Sequence, residues 1–230
     1  DPYHTEHDGA KTAYTEGNAW QHSWFAPHDV YALINYMGGA KKFEAKLDAL
    51  FEADSKLTGS HVPPDISGMI GQYVHGNEPS HHIAYLYNYI GKPHKTAEKI
   101  KQICTTLYSN KPDGLPGNED CGQMSAWYVF GVLGFYPVNP ANGEYVLSIP
   151  LVQESALQLP SGNLFRVIVK EANEKNKFIK NITLNGEPYH KLYIKHSDII
   201  KGGILEITLA AEPSKTYGIA MEDFPGRMIK

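Results

Sequence analysis

The chain has 230 residues, a formal charge of −4 and 42% hydrophobic residues, enough for a packed core in one large domain or two smaller ones. Lys and Arg are scattered, without a basic stripe interleaved with aromatics, which argues against nucleic acid as a partner, and no apolar run is long enough to span a membrane. The opening DPYHTEHDGA lacks the basic start and apolar core of a signal peptide, so the chain is expected to begin as a mature or internal piece.

In chain order, residues from about 28 to 135 follow a helical period. Asp29 is expected to N-cap a helix over VYALINYM. Phe43, Leu47, Leu50 and Phe51 share one face of AKKFEAKLDALFEAD, and Ile83, Leu86, Tyr87 and Ile90 share one face of PSHHIAYLYNYIG. KTAEKIKQICTTLY repeats the pattern with Ala97, Ile100, Cys104 and Leu107. MSAWYVFGVLGF is apolar nearly all round, which predicts a helix buried on most sides. After about residue 140 the period becomes two. LFRVIVK sends Phe165, Val167 and Val169 to one face, GILEITL does so with Leu205, Ile207 and Leu209, and Asn185-Gly186 reads as a hairpin turn between NITL and PYHKLYI. The C-terminal third is therefore expected to be an antiparallel sheet, with a boundary near Pro137 to Pro140.

Three loops of the helical part combine Gly with a carboxylate, an amide and an aromatic or His: TEGNAWQHSWFAPHD at 15–29, QYVHGNEPSHH at 72–82 and GLPGNEDCGQMSAW at 114–127. Loops on a rigid scaffold are where binding and catalytic groups gather. Taken singly, each residue has a plain role: Glu16 as a solvated carboxylate, Glu119 or Asp120 as a helix cap. Fifteen Tyr and three Trp suit stacking on neutral polar ligands such as sugars, although most such rings belong to cores. Eleven His invite zinc, but neither the adjacent His81-His82 nor His22 with His28 has the i, i+4 spacing of a helical zinc pair. Asn77 and Glu78 offer oxygen donors of the kind that suit calcium, without the multi-Asp loop of an EF-hand. Cys104 and Cys121 are too few for a disulfide framework.

The segments TEGNAWQHSWFAPHD, GQYVHGNEPSHHIAYLYNYIGKP and GLPGNEDCGQMSAWYVFGVLGFYPVNP, in this order, closely resemble the C-terminal part of the calcium-dependent exo-α-mannosidases of glycoside hydrolase family 92. The resemblance continues through ITLNGEPY, YIKHSDI and GGILEITL. It implies an α+β fold: residues 1–138 as the back part of a catalytic (α/α)6 barrel and 139–230 as a sandwich-like antiparallel β region. An (α/α)6 barrel needs about twelve helices, so the five or so here cannot close one at ordinary lengths, and the chain is expected to be a fragment, inactive alone. Its expected partners are mannose-containing glycans, the remainder of the barrel and an N-terminal β-sandwich domain, and its expected location is extracytoplasmic from the substrate class alone.

In such enzymes terminal α-mannosides are cleaved with inversion. Glu16 matches the family's general acid and Asp120 its general base, with Asn118 and Glu119 as supporting substrate-site residues. Glu16 is expected where burial or a neighbouring negative charge keeps it protonated, and Asp120 beside hydrogen-bond donors that keep it ionised. Asn77 and Glu78 match the calcium-binding loop. Trp20 and His22 follow the acid and are expected to line the sugar site, with a core role for Trp20 as the alternative. His75 is an aglycone-side candidate; several α-1,2-specific relatives have His-Glu-Pro where this chain has Tyr73-Val74-His75, a departure that bears on α-1,2 specificity. The rival readings are a non-catalytic glycan-binding module and another (α/α)-barrel hydrolase, for example one acting on glucosides.

Overall fold

A computed structural model describes residues 1–6 and 12–226, a range that holds every predicted site residue. In chain order the elements are α1 (Ala19–His22), α2 (Val30–Tyr36), α3 (Ala40–Glu52), β1 (Met69–Ile70), β2 (Tyr73–Val74), a 3-10 helix Ile83–Ile90, α4 (Pro93–Thr106) and α5 (Gln123–Leu133). The rest is mainly strand: β3 (Phe135–Tyr136), β4 (Glu144–Leu147), β5 (Glu154–Gln158), β6 (Leu164–Lys170), β7 (Phe178–Leu184), β8 (Glu187–Tyr189), β9 (Tyr193–Lys195), the short helix α6 (His196–Ile200) and β10 (Gly203–Ala210). The chain forms two compact units, residues 1–83 with 105–127, and 84–104 with 128–230. The helical residues 84–104 group with the strands, so compactness and hydrophobic period divide the chain at different places.

In the first unit the apolar stripe of α3 is buried as its period predicts, Phe43, Leu47, Leu50 and Phe51 all facing inward. Asp29 caps α2 by accepting a hydrogen bond from the Ala32 amide at 2.9 Å. The ring pairs Trp24–Phe43 and Phe51–Tyr73 extend this core to α1's trailing turn and to β2. Each fully buried side chain of this size is worth about 1.5–3 kcal/mol of transfer free energy.

In the second unit β5, β6, β10, β7 and β8 form a five-stranded sheet in that order, and β3, β4 and β9 a three-stranded one. Phe165, Val167, Leu205 and Ile207 from the larger sheet and Phe135, Leu147 and Ile194 from the smaller share one core cluster. The Asn185-Gly186 turn joins β7 to β8 with φ of 54° and 86°, the double left-handed geometry of a tight hairpin.

Four expectations are corrected. The sheet is not wholly antiparallel, because β6 and β10 run parallel, Phe165 opposite Gly203 through Lys170 opposite Thr208. PYHKLYI is not one strand: β9 leaves the hairpin to pair with β4, and the intervening Leu192 is buried, its carbonyl accepting from Leu147 N at 2.9 Å. PSHHIAYLYNYIG is not an amphipathic α-helix. Its 83–90 portion is 3-10, and Ile83 to Tyr89 are buried on every side, including Asn88, whose amide donates to the Leu147 and Leu192 carbonyls at 2.8 and 3.3 Å. Finally, α5 buries Met124 and Trp127 but exposes Tyr128 and Val129, so an all-round apolar sequence is not covered all round.

Candidate functional site

Every site residue predicted from the sequence lies in the first unit, and the three loops meet there. The meeting is made by polar side chains and by close backbone contact. Asn18 begins α1 with a reciprocal cap: its Oδ1 accepts from the Trp20 and Gln21 amides at 2.9 and 3.4 Å, and its own amide donates to Gln21 Oε1 at 2.7 Å. The Asn18 and Gln21 side chains then reach the second loop, donating to Gln72 Oε1 at 3.0 and 3.2 Å, while Gln21 Nε2 also reaches the Gln72 carbonyl at 2.7 Å. Asn77 Nδ2 donates to the Glu16 carbonyl at 2.8 Å. The second and third loops touch at glycines: a Cβ on Gly117 would lie 2.6 Å from the Gly76 Cα, so only a residue without a side chain fits.

The candidate carboxylates sit on unusual backbone. Glu16 has φ 54° and Asp120 φ 40°, and Asp120, Cys121 and Gly122 are three successive left-handed residues. For non-glycine residues this costs on the order of 1–3 kcal/mol each. Glu16 and Asp120 are both exposed, and no described hydrogen bond engages either carboxylate. The burial expected around Glu16 is thus not supplied by the described residues. Glu119 behaves differently. Its carboxylate accepts from the Ser125 hydroxyl at 2.6 Å and the Ser125 amide at 2.9 Å, tying the start of α5, and these bonds hold its pKa below the usual carboxylate range. The side chain that ties the start of α5 is therefore that of Glu119, while Asp120 contributes its carbonyl, which accepts from the Gln123 amide at 3.2 Å.

The remaining candidates brace the loops. His22 lies against Tyr14 with rings 5.1 Å apart and places Nε2 2.9 Å from the Thr15 carbonyl, closing the turn that carries Glu16. Trp20 is half-buried beside Tyr3 and lines, with Pro2, Trp24 and Met37, a pocket of about 250 Å³. Asn118 is exposed and donates to Asp65 at 3.1 Å. His75 presents no ring edge to solvent: it is fully buried, with Nδ1 2.8 Å from the Tyr73 hydroxyl and Nε2 2.6 Å from that of Tyr108. The Tyr108 hydroxyl also lies 3.2 Å from the Met124 carbonyl, so it bridges the His75 ring and the start of α5. His81 and His82 are buried too, bonding the His75 and Trp24 carbonyls, and burial depresses the pKa of each to about 4. Burial also holds His75 well below the ordinary value.

Asn77 is buried and Glu78 half-buried at the start of a one-turn 3-10 helix. With the Asn77 amide nitrogen committed to Glu16, its Oδ1 and the Glu78 carboxylate are hard oxygen donors, which fit calcium in chemistry but form only part of its usual six to eight ligands. No group of three His, Cys, Asp or Glu side chains able to hold a metal ion occurs among the described residues. Sequence reading overlooked Asn18, Gln21, Gln72 and Asp65. The Asn-x-x-Gln spacing of a capping box was a readable signal for the first two; nothing marked the others.

A model of the glycosyl hydrolase family 92 catalytic domain matches residues 1–211. The chain is 32% identical over 213 residues to an uncharacterized secreted glycosidase of Arthroderma benhamiae, covering 91% of this chain and 25% of that protein. It superposes on a family GH92 α-mannosidase from Bacteroides thetaiotaomicron, solved with mannoimidazole, with a TM-score of 0.84 and 38% identity over 92% of this chain and 28% of that one. A GH92 inverting mannosidase from strain VPI-5482 of the same organism gives a TM-score of 0.78 and 34% identity, over 92% of this chain and 30% of that one. The chain thus spans between a quarter and a third of the length of these relatives. With the three motif-bearing loops joined in one unit and the family match running through both units, the chain belongs to glycosyl hydrolase family 92.

Proposed function

We propose that this chain carries the acid- and base-bearing loops of an exo-acting α-mannosidase, and that residues 1–138 supply the back part of an (α/α)6 barrel followed by a β region at 139–230. The observation that supports the reading is the joining of the three loops, the first and third of which bear a carboxylate, Glu16 and Asp120, on left-handed backbone. Strain of this kind persists where the surroundings over-determine it, and it clusters at active sites. Glu16 donates its proton to the glycosidic oxygen as the C1–O bond breaks. Asp120 takes a proton from the water that attacks C1 from the opposite face, so the α-mannoside yields β-mannose and the two carboxyls exchange charge states.

The inverting course is supported by the likeness to an inverting mannosidase, and an extracytoplasmic location by the likeness to a secreted glycosidase. Asn77 Oδ1 and the Glu78 carboxylate would supply part of the oxygen shell of a calcium ion, which would add positive charge beside the sugar site and favour ring distortion. Residues of this chain do the positioning: Asn77 also fixes the Glu16 carbonyl, so the sugar-holding and proton-donating loops share one reference point. Glu16 is exposed here, and the covering that keeps a general acid protonated must come from substrate or from further protein. No helix among the described residues is long and apolar enough to cross a membrane.

The test is a calcium-titrated assay of the full-length enzyme on aryl α-mannoside and aryl α-glucoside. Asp120→Ala should lower kcat on the mannoside by about two or more orders of magnitude with the fold intact. Near-normal turnover would remove Asp120 from the reaction, glucoside preference would favour the other barrel hydrolases, and sugar binding without hydrolysis would favour a glycan-binding module.

A further inference from the structure

Gln72 has no solvent exposure, yet it makes hydrogen bonds in every direction a primary amide allows. Oε1 accepts from Asn18 Nδ2 at 3.0 Å and Gln21 Nε2 at 3.2 Å; Nε2 donates to the Asp54 carbonyl at 2.6 Å and the Lys56 carbonyl at 2.9 Å. Its backbone carbonyl accepts a second bond from Gln21 Nε2 at 2.7 Å, and its amide donates to the Leu50 carbonyl at 2.8 Å. A carboxylate could not donate, an ammonium could not accept, and a shorter amide would not span the same partners. These bonds link the turn before α1, the stretch after α3 and the start of the 72–78 loop.

We propose that Gln72 is a positioning residue for the proton donor, acting through Asn18 on Glu16 and resting on the assignment of Glu16 as general acid. Glu16 lies two residues before Asn18 on backbone of φ 54°, a conformation an isolated glutamate would leave. Three bonds tie that turn: Asn77 to the Glu16 carbonyl, the buried Asn18–Gln72 bridge, and His22 to the Thr15 carbonyl. The first two come from the 72–78 loop. The backbone from which the Glu16 side chain springs is therefore tied to the loop that carries Asn77 and Glu78. If the Asn18–Gln72 bond is lost, the turn keeps its anchor at Asn77 and the helix keeps its cap, but the carboxyl gains freedom to leave the line of the glycosidic oxygen.

Asn18→Ser isolates this bond, because serine caps a helix about as well as asparagine and only the donor to Gln72 is deleted. Gln72→Leu removes the whole hub and serves as the harsher variant. In the full-length enzyme with saturating calcium, Asn18→Ser should lower kcat on an alkyl or disaccharide α-mannoside about 10- to 100-fold, the scale of a misplaced catalytic group. On 2,4-dinitrophenyl α-mannoside, whose leaving group needs little protonation, kcat should change by less than about twofold, with KM and the calcium half-saturation unchanged. In a Glu16→Gln background, Asn18→Ser should add no further loss, since both changes remove one function. Equal losses on the two mannosides, a shifted calcium half-saturation, or additive losses in the double variant would show a general structural role and overturn the proposal alone. If Glu16→Gln itself shows no dependence on leaving group, the assignment of the acid falls and the proposal falls with it.

Discussion

The two units are held together by different physics. Among the described residues, the buried polar side chains of the first unit include Asn18, Gln21, Gln72, His75, Asn77, Ser80, His81 and His82, whereas those of the second reduce to Asn88, Thr96 and Ser148. The second unit's core cluster is mainly Phe, Leu, Ile and Val drawn from both sheets, with Tyr217, and its other buried tyrosines include Tyr85, Tyr87 and Tyr193. Apolar burial is non-directional and stabilises whatever shape fills the space. Buried hydrogen bonds contribute little net stability, about 1 kcal/mol each, but they fix atoms relative to one another. The unit with the greater share of buried polar side chains is the one that carries Glu16 and Asp120, so positional accuracy is concentrated where the proposed chemistry needs it.

The largest expected difference between the units is in their response to acid. His81 and His82 are neutral in the fold, with pKa values depressed by burial from 6.5 to about 4. Below pH 6.5 the unfolded chain takes up protons that the folded one refuses. The fold therefore loses stability as pH falls from about 6.5 to about 4, by a few kcal/mol at the usual 1.4 kcal/mol per pKa unit. Hydrogen exchange of the full-length enzyme should show segment 72–82 losing protection across that window while β6 and β10 change little. Equal protection of segment 72–82 at pH 7 and pH 4.5 would contradict the neutral buried rings. Glu119, with its lowered pKa, adds to the loss only at lower pH, as the carboxylates protonate.

Phe165→Ala probes the other unit. Removing a fully buried ring from the shared core should cost about 3–5 kcal/mol, read as a fall in thermal midpoint, with kcat per folded molecule unchanged. Gly117→Ala comes next. Its new methyl must displace Gly76 backbone, at a cost of about 1–3 kcal/mol, and should reduce kcat more than it reduces stability because two site loops move apart. A loss of stability without a loss of kcat would mean that the glycine contact only packs. The smallest effect is expected at the hairpin: Asn185→Ala places alanine at φ 54° and removes the acceptor for the Ile204 amide at 2.8 Å, worth about 1 kcal/mol of stability and nothing in turnover.

The same contrast governs what was legible from the sequence. In the second unit the two-residue period marked the buried faces of β6 and β10, and Asn185-Gly186 marked its turn, because apolar alternation is the direct imprint of a half-buried strand. It did not say that β6 and β10 run parallel or that β9 changes sheets, since pairing partners leave no periodic trace. The stripe of α3 was equally plain. Residues 83–90 defeated the periodicity argument because a segment buried on all sides has no favoured face. In the first unit the loops were found by their Gly, amide and carboxylate content, yet the parts played by Gln72 and Asp65 were invisible: a buried glutamine and a surface one read alike until their partners are known.

The central claim, that Glu16 and Asp120 act as a separated acid and base on one α-mannoside, is tested most directly by the anomer first released. Proton NMR of the full-length enzyme acting on an α-mannoside should show β-mannose accumulating ahead of mutarotation, with the signal abolished by Asp120→Ala. First release of α-mannose would require a covalent intermediate and a nucleophile in place of a base, and would contradict the account.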